Sequence, residues 1–345
     1  MSDLRSDRVA VATWLLACCA LVFAMVVVGG VTRLTHSGLS IVEWQPIMGA
    51  LPPLNDAQWE EAFAKYRETP EFRLRNHDMT VEGFKGIFWW EYFHRLLGRI
   101  IGVAFFVPFA WFLWRRRLEP GLAWKLGGIF VLGGLQGAMG WYMVMSGLVD
   151  DPRVSSLRLA AHLGLAFVIY GLMLWVALGL LLRGRSPVSD AARRRAGFLV
   201  ALVFVMVLSG ALVAAIRAGF AYNTWPLMDG HLLPPDILVL EPWWANLVHN
   251  MATVQFVHRT LALVVAAVVV LVWVRVRHEP PNARARTWSH LLLAFAALQV
   301  GLGIATLVLQ VPLARAALHQ AGAVLLFTCA IGLRHALRPP VLSLR

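Results

Sequence analysis

Eight times along the chain a run of about 20 apolar residues recurs, and a helix of that length crosses a hydrocarbon core roughly 30 Å thick. The runs lie near residues 10–31, 90–114, 122–145, 157–182, 197–217, 253–274, 288–310 and 313–334. With 59% apolar and only 14% charged residues, the chain lacks the polar surface that a water-soluble domain needs. The expected fold is an all-α integral membrane protein of eight transmembrane helices. The first run, from Val9 to Val31, outlasts the roughly 7 to 15 residues of a secretory signal and lacks an A-x-A-like cleavage site, so it reads as a retained helix.

The net charge of +12 follows the membrane. The loops on the N-terminal side hold 18 of the 31 basic residues, including Arg115–Arg117, Arg183, Arg185, Arg193–Arg195 and Arg345, but only five of the 19 acidic ones. The opposite side is close to neutral. An excess of Lys and Arg marks the cytoplasmic face, which predicts that both termini are cytoplasmic. That signal accounts for the charge and removes nucleic acid as a partner. Cys18, Cys19 and Cys329 fall within apolar runs, where thiols behave as small apolar groups, and no disulfide framework is implied.

The sequence also repeats itself. Gly38 to Trp44 and Gly219 to Trp225 share a spacing and are each followed by a Pro-Pro pair. Phe93-His94-Arg95 parallels Val257-His258-Arg259, Leu135-Gln136 parallels Leu298-Gln299, and Ala160-Ala161-His162 parallels Ala317-Leu318-His319. The order is the same in both halves, which predicts two tandem four-helix bundles, residues 1–186 and 187–345, related by a pseudo-two-fold axis along the membrane normal. The halves differ in the first outer loop, 32–89, which is far longer than a usual connection and contains Trp59, Phe63, Tyr66, Phe72 and Phe84. Two readings of these aromatics stand: a folded cap over the bundle, or an interfacial belt.

Of eleven histidines, four fall near the start of even-numbered helices: His94, His162, His258 and His319. All even-numbered helices run from outside to inside, so the four share one depth near the outer surface. Ionisable groups inside apolar helices are costly and mark function. Two histidines per bundle are too few for a zinc cage, whereas haem needs two axial ligands from facing helices and an apolar surround. Arg95 and Arg259 follow their histidines, Arg99 lies one turn on, and Arg33 and Arg217 end the first and fifth helices. These five arginines read either as propionate partners or as snorkelling interfacial residues. Gln136 and Gln299 read as links between helices.

The symmetry breaks at one position. Glu91 stands three residues before His94, while Gln255 stands three before His258. A carboxylate in only one half predicts proton or charge chemistry there and a carried cofactor in the other; Glu91 could equally orient a ligand through a hydrogen bond.

The segments Thr32-Arg33-Leu34-Thr35-His36-Ser37-Gly38-Leu39-Ser40-Ile41-Val42 and Phe84 to Arg99, the latter reading FKGIFWWEYFHRLLGR, resemble the proteobacterial and mitochondrial branch of the haem A synthase family. Gln255 to Arg259 and the surroundings of His162 and His319 agree, so the resemblance spans nearly the whole chain. It implies oxidation of the C8 methyl of haem O to the formyl group of haem A through a hydroxymethyl intermediate, for use in terminal oxidases. By matching motif, Glu91 becomes the catalytic carboxylate, His94 and His162 the ligands facing substrate haem O, and His258 and His319 the ligands of a haem b cofactor. It also implies a bacterial inner membrane, an unidentified electron donor, and association with haem O synthase and terminal oxidase assembly. Another branch carries a cysteine pair in the first outer loop, and this chain has none there. His249 occupies a stretch, Asn246 to Asn250, where the family leads one to expect a more acidic residue. The competing reading of the same histidines is a dihaem b electron-transfer cytochrome.

Overall fold

The computed structural model describes residues 2–45, 48–182, 188–279 and 282–338. Arg183, Arg185 and Arg345 of the basic set, and the boundary 186/187 between the expected halves, lie outside the described residues. Eleven α-helices form among the described residues: α1 (Ser2–Leu34), α2 (Asp56–Arg67), α3 (Pro70–Arg75), α4 (Val81–Trp114), α5 (Leu122–Met145), α6 (Ser156–Leu181), α7 (Asp190–Ala215), α8 (Asn246–His249), α9 (Met251–Arg277), α10 (Ala283–Val308) and α11 (Leu313–Ala336). Eight of them, α1, α4 to α7 and α9 to α11, are long and apolar enough to cross a membrane. The protein is all-helical and multi-pass, as the apolar runs require.

Polar side chains start these helices where the sequence supplies them. The side chains of Asn55, Thr69, Thr80, Ser189, Asn250 and Asn282 accept from backbone N–H groups of the first turns of α2, α3, α4, α7, α9 and α10. Thr80 explains why α4 begins more than two turns before the expected position 90. Glu82 and Gly86 of those turns are exposed, but Phe84 and Phe88 are buried.

The chain divides into two compact units, one of Met1–Cys19 with Phe167–Arg345 and the other of Ala20–Ala166. In the second unit, the long outer segment builds a small core of its own. Trp59, Phe63, Tyr66, Phe84, Phe88 and Tyr92 are buried together, with Phe72 packed against them. Edge-to-face contacts such as Trp59 on Phe88 (4.9 Å between centroids) and Phe63 on Phe72 (5.8 Å) fill it. These aromatics form a packed cap on the start of α4, which favours the cap over a belt. In the first unit, the end of α6 packs on α11. Phe167 meets Phe327 at 5.3 Å, and the Tyr170 hydroxyl lies 2.7 Å from Thr328 Oγ1. Cys18, Cys19 and Cys329 are buried free thiols.

Candidate functional site

The unit of residues 20–166 brings His94 on α4 together with His162 on α6, near enough for a charge on one to act on the other. Each ring is seated against a glycine of the preceding membrane helix. A Cβ built on Gly29 of α1 would lie 2.9 Å from His94 Cε1, and one on Gly140 of α5 would lie 3.0 Å from His162 Cε1. Any larger residue would push the ring aside. Gln136 Nε2 donates to the His162 carbonyl at 3.0 Å, so this glutamine joins helices as expected.

The other unit repeats the arrangement with His258 on α9 and His319 on α11, again within reach of each other's charge. Cβ atoms on Gly210 of α7 and Gly303 of α10 would stand 3.3 Å and 3.0 Å from the two Cε1 atoms. Gln299 Nε2 donates to the His319 carbonyl at 2.7 Å. Four histidines thus face four glycines, a relation that sequence reasoning missed.

The rows above the histidines differ in kind. Glu91 is 3% exposed and its carboxylate is ringed by donors. Oε2 accepts from Ser40 Oγ and from the Ile41 N–H, both at 2.8 Å, while Oε1 accepts from Arg95 Nε at 3.0 Å and Nη2 at 2.6 Å. Arg95 also donates to the carbonyls of Ile41 and Glu43, and Arg99 Nη2 to that of Gln45. Residues 91, 95 and 99 stack one turn apart, so one helix face grips residues 40–45. In the other unit, Gln255 Nε2 donates to the carbonyls of Ala218 (2.8 Å) and Tyr222 (3.1 Å). Arg259 donates to Thr224 O, Tyr222 O and Gln255 Oε1 at 2.9, 2.8 and 3.2 Å. Arg95, Arg99 and Arg259 are therefore engaged with loop backbone in this structure. Arg217 follows α7 in the left-handed conformation, with φ 58°.

Arg33, at the end of α1, lies near a second buried carboxylate, Glu71 of the cap. The Tyr66 hydroxyl donates to Glu71 Oε2 at 3.3 Å, and Asn76 Nδ2 donates to that hydroxyl at 2.7 Å. Burial, more than the neighbouring Glu91, pushes the Glu71 carboxyl up to about 7; Tyr66, Arg75 and Arg33 oppose the shift. Glu71 had no signal in the sequence beyond an acid in a charged loop.

No group of three or more His, Cys, Asp or Glu gathers among the described residues as a cage for a bare ion. Each unit offers instead two histidines from facing helices, the donor set of a haem axial pair. Their Nδ1 atoms are sealed: those of His94, His162 and His319 are buried without a hydrogen-bond partner among the described residues. The residues present fit a haem in each unit. The model of one family, described as Cytochrome oxidase assembly protein, matches residues 12–331. The chain belongs to that COX15-CtaA family. Three similar relatives bear the name Heme A synthase. One from Nitrosospira multiformis is 58% identical over 95% of this chain and 93% of its own length. One from Nitrosomonas eutropha is 55% identical over 94% and 93%. One from Rhodospirillum centenum is 51% identical over 96% and 89%. This member of the family carries both histidine pairs and the buried Glu91 within the matched span.

Proposed function

We propose that the chain is a haem A synthase, oxidising the C8 methyl of haem O to a formyl group through a hydroxymethyl stage and supplying haem A to terminal oxidases. Relatives of that name over nearly the whole chain support the reading. The observation that carries it is the paired histidines of each unit, with a buried carboxylate one turn from only one pair. On this reading His94 and His162 hold substrate haem O, and His258 and His319 hold haem b. The chain divides functionally at 186/187 into a substrate half and a cofactor half; the repeated glycine seats and glutamine links support that division.

Haem, when bound, supplies the redox capacity for the methyl oxidation. The protein's own part is positional. The glycines fix ring placement, and the helices exclude water. Glu91, held by Ser40, Ile41 and Arg95 one turn before His94, would take or return a proton at its carboxylate as the methyl is oxidised. Arg33 and Arg217 would attract haem propionates by charge, while Arg95, Arg99 and Arg259 hold loop backbone.

The chain sits in a bacterial inner membrane with both termini cytoplasmic, receives electrons from a separate donor, and works beside haem O synthase and terminal oxidase assembly. Reporter fusions after Arg117 and Arg195 should read cytoplasm, and one within residues 55–80 the outer compartment. The deciding experiment is extraction of haem from purified protein with identification by mass. A mixture of haem b, haem O and haem A is expected. Two equivalents of haem b alone would instead mark an electron-transfer cytochrome.

A further inference from the structure

Among the described residues, His258 alone of the four histidines has its Nδ1 within hydrogen-bond distance of a side chain. Ser209 of α7 is 9% exposed, and its Oγ lies 3.2 Å from His258 Nδ1. Ser209 directly precedes Gly210, the glycine that seats the same ring. The residues preceding the other three seating glycines are Val28, Met139 and Leu302, which carry no hydroxyl. The Nδ1 atoms of His94, His162 and His319 are buried without a partner among the described residues.

A neutral imidazole has one N–H, and the hydrogen bond made by one nitrogen decides which of the two is left to bind a metal. A hydroxyl oxygen can accept from Nδ1–H, which places the lone pair on Nε2. Such an outer partner also fixes the ring and raises the basicity of the ligating nitrogen. We propose that Ser209 is a positioning residue that makes His258 the most firmly set iron ligand of the four, and so assigns permanent haem retention to the His258–His319 pair. This rests on the reading of that pair as the haem b site.

The test uses the full-length protein purified in detergent. Ser209→Ala should still bind low-spin haem b but lose it to apomyoglobin about tenfold faster. A less basic ligand favours ferrous over ferric haem. A tenfold change in that ratio would raise the midpoint potential by about 59 mV for a one-electron couple. Ser209→Thr, which keeps the hydroxyl, should restore both values. If Ser209→Ala does not yield folded protein, Ser209→Cys keeps the packing with a weaker partner and is read in the same way. Unchanged transfer rate and potential in the hydroxyl-less variant would overturn the proposal, provided that His258→Ala removes the low-spin signal. A signal that survives His258→Ala overturns the haem b assignment itself, and the proposal with it.

Discussion

The loop clamp over His94 and the loop clamp over His258 occupy matching positions, residues 91 and 95 against 255 and 259, and both arginines donate to loop carbonyls, yet residues 91 and 255 bond their loops in opposite directions. Glu91 only accepts, from a hydroxyl, a backbone N–H and a guanidinium. Gln255 donates to two carbonyls and accepts from its arginine. The loops match these two residues: one turns an N–H and a hydroxyl to Glu91, the other turns two carbonyls to Gln255. A clamp as such therefore needs no carboxylate. The one that stands a turn before His94 has a dedicated set of donors, and on the proposed reading it is there for chemistry.

The strongest way to break this comparison is to remove ligands. Replacement of His258 or His319 by alanine should abolish the low-spin haem b spectrum, whereas the same change at His94 or His162 should leave it and remove haem O binding. Loss of the same spectrum from all four variants would erase the division of labour. Next in size is Glu91→Gln, expected to lower haem A formation by about 10²-fold or more while haem b stays bound. An amide cannot accept from every donor around Glu91, so a packing control is needed. Gln255→Glu supplies it: a carboxylate set against the carbonyls of Ala218 and Tyr222 should cost about 1–3 kcal/mol of stability without a specific block in catalysis. Equal catalytic defects in the two variants would show that the clamps act only as braces.

A smaller effect is expected at the glycine seats. Gly303→Ala places a methyl 3.0 Å from His319 Cε1, so the ring must give by a few tenths of an ångström. The cost is about 1–3 kcal/mol, with an altered low-spin electron paramagnetic resonance signal from the haem b. Gly140→Ala should perturb haem O binding and leave that signal alone. The smallest effect concerns the cap. The fold raises the Glu71 carboxyl from its ordinary 4.5 to about 7, so the folded state binds more protons than the unfolded one between those values. Stability from this group is greatest below 4.5 and declines as pH rises through 7. Proteolysis within residues 55–80 should be faster at pH 8 than at pH 5, and Glu71→Gln should flatten the difference.

Much of this was legible in the chain because the bilayer is a strict reader. Apolar runs of spanning length announced the helices, and His94, His162, His258 and His319 stood out as costly residues within them. The seating glycines were not legible, because Gly is common in membrane helices and nothing local ties Gly210 to His258. Arg95 and Arg259 were visible as charges four residues after Glu91 and Gln255, but their other partners are backbone carbonyls, which leave no mark in a sequence. The early start of α4 was hidden by Glu82 and Lys85, whose polarity masks the buried Phe84 and Phe88 on the other face.

The length of α4 has a mechanical consequence. Its 34 residues extend about 50 Å, and only about 30 Å of that is needed to cross a hydrocarbon core, which leaves a surplus that can project as a post. The aromatic cap is bolted to that post through Phe84, Phe88 and Tyr92, and His94 lies further down the same rod. The one proline, Pro108, comes after the histidine, which leaves the stretch between cap and ligand stiff. A force applied to the cap is therefore carried along one stiff helix toward the His94 ring, and whatever grips α2 or α3 has a handle on that histidine.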